Sequence, residues 1–263
     1  RTFPKEWFGE ILNKNIDNKI IDKNFSLKTH INLRTFSKEN IKGFRHSIIE
    51  VEAEKNSDVK IYISQRFSLE VLSIQSVYYR VKENANVEFV QVDLGGRENY
   101  VSYIGDLVDN NSNVNVNSIY FGKNEQKLDF NYVATQRGRS TNYDLAIKGA
   151  LADRAQKTCK VTIDFKRGSS TSKGSEEEYV TLLSDDIKNV AVPILLCTED
   201  DVEGIHAASA GKIDENILFY IMSRGFSESE AKRLILESKF AETIDLIENE
   251  EIRKRVYTTL SKK

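Results

Sequence analysis

Through most of the chain, apolar and polar residues alternate with a period of two. Val59, Ile61 and Ile63 are interleaved with Lys60 and Tyr62, and Val114 and Val116 with Asn113, Asn115 and Asn117. Leu128, Phe130 and Tyr132 repeat the pattern, as do Val161, Ile163 and Phe165. Alternation of this kind predicts half-buried strands, one face inward and one toward solvent. At Val87 and Phe89 the phase shifts, and Val90, Val92 and Leu94 follow. From about residue 45 to residue 208 no amphipathic helix interrupts the strands. That restricts the fold to a sandwich, a barrel, a propeller or a β-solenoid.

Two features favour the solenoid. Asn-Gly and Asp-Gly, the strongest hairpin dipeptides, are absent. In their place stand soft connectors at 82–86, 109–113 and 122–125, with strands recurring every 10 to 14 residues or so, as expected for two strands per coil. The polar positions Asn115 and Asn117 are expected to face inward, where stacked coils let asparagines bond along the stack.

The ends of the chain read differently. Trp7, Phe8, Ile11 and Leu12 have helical spacing and predict a short N-terminal helical piece. Beyond residue 213, Asp214 caps a predicted helix over 215–224 with Gly225 as its stop, and Ser227 with Glu230 forms a capping box for the next. A last helix is predicted over 242–260, with Ile244, Ile247, Ile252, Val256 and Leu260 along one stripe. The predicted organisation is a lead-in over 1–44, a β core over 45–212 and a helical subdomain over 213–263.

Composition narrows the function. Lys plus Arg number 38 against 40 Asp plus Glu, a net charge of −2, so no general attraction to nucleic acid is expected. Two cysteines in 263 residues cannot build a disulfide framework, which points to a reducing compartment. No apolar run approaches the roughly 20 residues of a spanning helix. A chain starting at Arg1 and lacking an apolar leader is read as trimmed or processed, not as carrying a signal peptide.

Catalytic signatures are missing. There is no phosphate-binding loop, Cys-x-x-Cys, His-x-x-x-His or Gly-x-Ser-x-Gly. A polysaccharide-acting enzyme on this scaffold would need carboxylates clustered in a groove. The acidic clusters at 176–178, 185–186 and 199–201 read as polar turns.

The most distinctive stretch is Asp-Asp-Val-Glu-Gly-Ile-His-Ala-Ala-Ser-Ala-Gly-Lys-Ile at 200–213, continuing as Asp-Glu-x-x-Leu-Phe-Tyr-x-Met-Ser-Arg-Gly-Phe-Ser-Glu-x-Glu-Ala to 231. With Thr-Ile-Asp-Phe-Lys-Arg-Gly at 162–168 and Leu-Ser-Asp-Asp-Ile-Lys-Asn at 183–189, it resembles the SufB/SufD family of iron–sulfur cluster assembly proteins. The resemblance covers about 45–263 and implies a right-handed parallel β-helix flanked by helices. Within the family the chain resembles the SufD type. SufB-type chains carry Glu directly after the motif histidine, where Ala207 stands here, and a sulfur-accepting Cys about 28 residues upstream, where Glu178 stands.

The resemblance implies a non-catalytic, cytoplasmic scaffold subunit that pairs with SufB or with a second copy of itself and binds a SufC-type ATPase. It implies no stably bound cofactor, only a transient iron–sulfur cluster in the complex. His206 matches the family's participating histidine, a metal ligand or proton donor at the interface, and imidazole suits iron. Cys197, nine residues earlier, is the second candidate. Ile217, Leu218, Phe219, Tyr220 and Met222 crowd most of the circumference of one helix, the pattern of a surface that docks a partner. Cys159 has basic neighbours in Lys-Thr-Cys-Lys but is read as an ordinary strand residue. The alternatives are a SufB-like chain holding a cluster through Cys197 and His206, and a β-helix enzyme acting on polysaccharide.

Overall fold

The computed structural model describes residues 29–36 and 42–261. The N-terminal helical piece expected near residues 6–13 lies outside them. Thirteen strands come first in the described chain: β1 (Thr29–Phe36), β2 (Gly43–Ala53), β3 (Asp58–Phe67), β4 (Val71–Val81), β5 (Asn86–Gly95), β6 (Glu98–Leu107) and β7 (Asn113–Gly122), then β8 (Lys127–Gln136), β9 (Asn142–Leu151), β10 (Gln156–Phe165), β11 (Ser172–Leu182), β12 (Lys188–Cys197) and β13 (Val202–Lys212). Three helices follow: α1 (Glu215–Ser223), α2 (Glu228–Asp245) and α3 (Glu250–Leu260). The boundary read at residue 45 falls inside β2, and β1 upstream of it pairs with β3.

Successive strands alternate between two sheets. Odd-numbered strands form one in the order β1-β3-β5-β7-β9-β11-β13, and even-numbered strands form the other. Every ladder is parallel, so Val59 lies beside Val87, which lies beside Val114 in the next coil. This is a β-solenoid of about six turns with two strands per coil. Side chains of both sheets meet inside, where Tyr79, Phe89, Tyr103 and Tyr132 follow one another at ring-centroid spacings of 5.6, 5.3 and 5.2 Å. Near the N-terminal coils the filling becomes polar. Gln91 donates to Asp93 at 2.8 Å, Gln65 donates to both Asp93 and Asn99, and all four side chains are buried.

The turns explain how the chain coils with so little Gly or Pro. Asn56, Asn84, Asn111, Asn124, Ser140, Asp153 and Thr171 all adopt positive φ, a conformation that asparagine tolerates best among residues with a side chain. Three of them stack: Asn84 donates to Asn56 and Asn111 to Asn84, each at 3.1 Å. The asparagine ladder thus runs along the turns and not where it was expected. Asn115 is exposed and Asn117 half-buried, because Val114 and Val116 claim the inward positions of β7. Gly95 is required at its corner: its φ is +110°, and a Cβ there would sit 2.1 Å from the Phe67 carbonyl oxygen.

The phase shift in β5 has a tertiary cause. Val87 and Phe89 face the interior, whereas Val90, Val92 and Leu94 face outward beneath α2 and α3. With Tyr62, Ile119 and Phe121 they meet Leu236, Phe240, Ile244, Ile252 and Val256. Asp214 and the Ser227–Glu230 capping box start α1 and α2 as expected. The single helix expected over 242–260 is two. Asn249 caps a new start at Glu250, accepting from the Ile252 amide at 3.1 Å. The stripe from Ile244 to Leu260 is nonetheless buried throughout, shared between the two helices.

Candidate functional site

Strands β12 and β13 end their sheets, and among the described residues each has a strand neighbour on one side only. The C-terminal end of the solenoid is therefore open. Val192, Leu195, Leu196 and Ile205 are exposed on it. An unpaired edge of this kind presents free N–H and C=O groups to any strand that approaches.

His206 sits on this end at an inward position. One interior column, followed from coil to coil, reads Ile61, Phe89, Val116, Leu145, Glu176, His206. Four apolar residues are succeeded by a carboxylate and an imidazole. Nδ1 of His206 lies 2.6 Å from Oε2 of Glu176, whose side chain is only 2% exposed. Nε2 of His206 is buried and has no hydrogen-bond partner among the described residues.

Behind this pair lies a second one. Lys157 donates to Glu178 at 2.5 Å with both side chains buried. Burial pushes the Glu176 carboxyl up from its ordinary value, the hydrogen bond and charge of His206 pull it back, and Glu178 pushes it up again. The reading of 176–178 as a polar turn is thus corrected: these residues lie in β11, with Glu176 and Glu178 inward and Glu177 exposed. Sequence reasoning missed Glu176, Glu178 and Lys157 as functional candidates. The signal was present, since Gly174, Glu176, Glu178 and Val180 alternate with Lys173, Ser175, Glu177 and Tyr179. The acidic run concealed it.

The two cysteines stand in different surroundings. Cys159 faces inward, and burial drives its thiol pKa well up, as does Glu178, against a smaller opposing effect of Lys157. Cys159 is an ordinary buried residue of β10, as read from the sequence, and Lys160 next to it points outward and is exposed. Cys197 is exposed at the end of β12, level with Phe165, whereas His206 is level with Glu176 on the other sheet. The strand register does not bring Cys197 and His206 together. Among the described residues no three His, Cys, Asp or Glu side chains converge to hold a metal ion.

Next to the open end, α1 has no buried residue. Ile217, Phe219, Tyr220 and Met222 are exposed, Phe219 by 74%, and Leu218 is half-buried. A groove of about 880 Å³ runs along the turns between Glu70, Arg97, Glu125, Asp153, Arg154 and Asp185. Its charges are partly paired off, Arg154 with Glu125 and Asp185 with Lys212. Among the described residues no helix is long and apolar enough to cross a membrane.

Residues 20–239 match the family model for the SufBD core domain of SUF-system FeS cluster assembly. The chain is 30% identical over 146 residues to the iron–sulfur cluster assembly protein SufD of Bacillus subtilis, covering 56% of this chain and 33% of that protein. It is 28% identical over 202 residues to an iron–sulfur cluster assembly SufBD family protein of Pyrococcus horikoshii, covering 73% and 44%. A SufBD family protein of Staphylococcus saprophyticus is 23% identical over 192 residues, covering 72% and 41%. The chain thus spans less than half the length of these relatives. Solenoid, motif and family model agree: the chain belongs to the SufBD family of iron–sulfur cluster assembly proteins.

Proposed function

We propose that this chain is a non-catalytic, SufD-like scaffold subunit of a cytoplasmic SUF complex. Its open solenoid end pairs with SufB or a second copy of the chain, α1 docks a SufC-type ATPase, and His206 faces the iron or nascent cluster, the cargo of the complex. One observation carries this reading: an inward histidine stands on an edge strand with a single strand neighbour among the described residues, beside a helix that leaves four large apolar side chains in solvent. Pairing across the edge satisfies the free backbone groups and encloses His206. ATP-driven motion transmitted through α1 biases that enclosure between two states. Cys197 and His206 stand on different sheets, and among the described residues no three metal-ligating side chains converge, which favours a partner role over a chain that holds a cluster alone.

The test is co-expression with a SufC-type ATPase and a SufB-type chain, followed by affinity capture. Phe219→Asp is expected to lose the ATPase, Leu195→Asp to lose the strand-pairing partner, and His206→Ala to keep both while cluster formation falls. Capture of both partners by all three variants, with cluster formation unchanged, sinks the reading. Removing residues 213–263 is the poorer test, because α2 and α3 cover one face of the solenoid.

A further inference from the structure

His206 Nδ1 and Glu176 Oε2 lie 2.6 Å apart, and an ionised carboxylate has no proton to donate, so it accepts there. A neutral imidazole carries one N–H. If that proton sits on Nδ1 it meets an acceptor, and if it sits on Nε2 it is buried with none, since Nε2 has no partner. With the proton on Nε2, the Nδ1 lone pair would face that of the carboxylate across 2.6 Å, whereas Nδ1–H makes a strong charge-assisted bond there. Both considerations select the same tautomer.

We infer that Glu176 is the positioning residue of His206: it holds the ring in the Nδ1–H form and so presents the Nε2 lone pair as the atom that meets iron or the cluster. The inference deepens the reading of His206 given above and rests on it for its purpose. A carboxylate behind a metal-binding imidazole does this generally, fixing the tautomer and ring orientation and raising ligand basicity. Glu176 is itself locked from behind. It stacks on Leu145 in the preceding coil, and Glu178 next to it is held by Lys157.

The experiment is ¹⁵N NMR of the intact chain with labelled histidine, free of metal, at a pH where each ring carries one proton. His206 resonances are assigned by their loss in His206→Gln. The expected result is an Nδ1–H tautomer for His206, with its proton strongly downfield. Glu176→Met keeps the volume and removes the acceptor, and is expected to shift the ring toward Nε2–H. Glu176→Gln keeps an uncharged acceptor, and is expected to retain Nδ1–H with the proton moved upfield. If Glu176→Met fails to fold, Glu176→Gln alone decides. An Nε2–H tautomer in the unsubstituted chain overturns the inference, as does a proton shift unchanged in Glu176→Gln. Neither metal nor partner enters the measurement. A wrong tautomer therefore leaves the scaffold reading standing, and loss of the scaffold reading leaves the tautomer result standing.

Discussion

Nζ of Lys157 lies 2.5 Å from Oε1 of Glu178 inside the solenoid, and the two side chains are 0% and 1% exposed. Two opposite charges removed from water hold one another, so deleting one strands the other. Lys157→Met is expected to lower stability by about 3–5 kcal/mol in urea unfolding. The double variant Lys157→Met with Glu178→Leu is expected to recover most of it. A double variant as unstable as the single one refutes the pairing.

Asp93 gives the chain a pH dependence of its own. Burial raises its pKa from 3.8 to about 6, against the hydrogen bonds from Gln91 and Gln65 and the charge of Arg45, which pull it down. The folded value lies above the unfolded one, so folding takes up a proton between these two values and stability falls as pH rises through that window. The ionised carboxylate costs at most about 3 kcal/mol above it. Asp93→Asn keeps the acceptor Oδ1, and Oδ2 has no partner to lose. It is expected to raise stability at pH 8 and to flatten the profile between pH 4 and 6, read from denaturation midpoints across pH.

The asparagine ladder separates two effects at one position. Asn84 has φ +55°, donates to Asn56 and accepts from Asn111. Asn84→Ala loses the bonds and forces a Cβ residue into the left-handed region, costing about 1–2 kcal/mol. Asn84→Gly loses only the bonds and is expected to cost less than half as much. Equal losses in thermal unfolding mean that backbone strain contributes nothing there.

Gly149 packs against an aromatic ring. A Cβ at this position would fall 2.0 Å from Cζ of Tyr120. The ring is buried and has nowhere to move, so Gly149→Ala is expected to cost about 1–3 kcal/mol. In a Tyr120→Leu background the same substitution is expected to cost much less. Identical costs in the two backgrounds rule out the contact.

Much of this was written in local pattern. The alternation at Val114 and Val116 announced a strand with one buried and one solvated face, although the expected inward placing of Asn115 and Asn117 assigned the faces wrongly. Asp214 and Ser227 announced their helices because a cap is a contact over three residues. His206 stood out through its surrounding motif. Lys157, Glu176 and Glu178 did not, because the value of a buried charge depends on a partner: Lys157 meets Glu178 21 residues away, and Glu176 meets His206 30 residues away.

By itself, the sequence determined most of the strands, two of the three helix starts and the family, since each is set by neighbours a few residues apart. The tertiary structure alone decided which side chains meet from coil to coil. Parallel stacking gives every inner coil two neighbours and the final coil one. For that reason the interior column that runs through Ile61 ends, among the described residues, at an edge strand on His206, with Glu176 beneath it. Hydrogen bonding between coils creates that difference between identical-looking strands, and no local pattern records it.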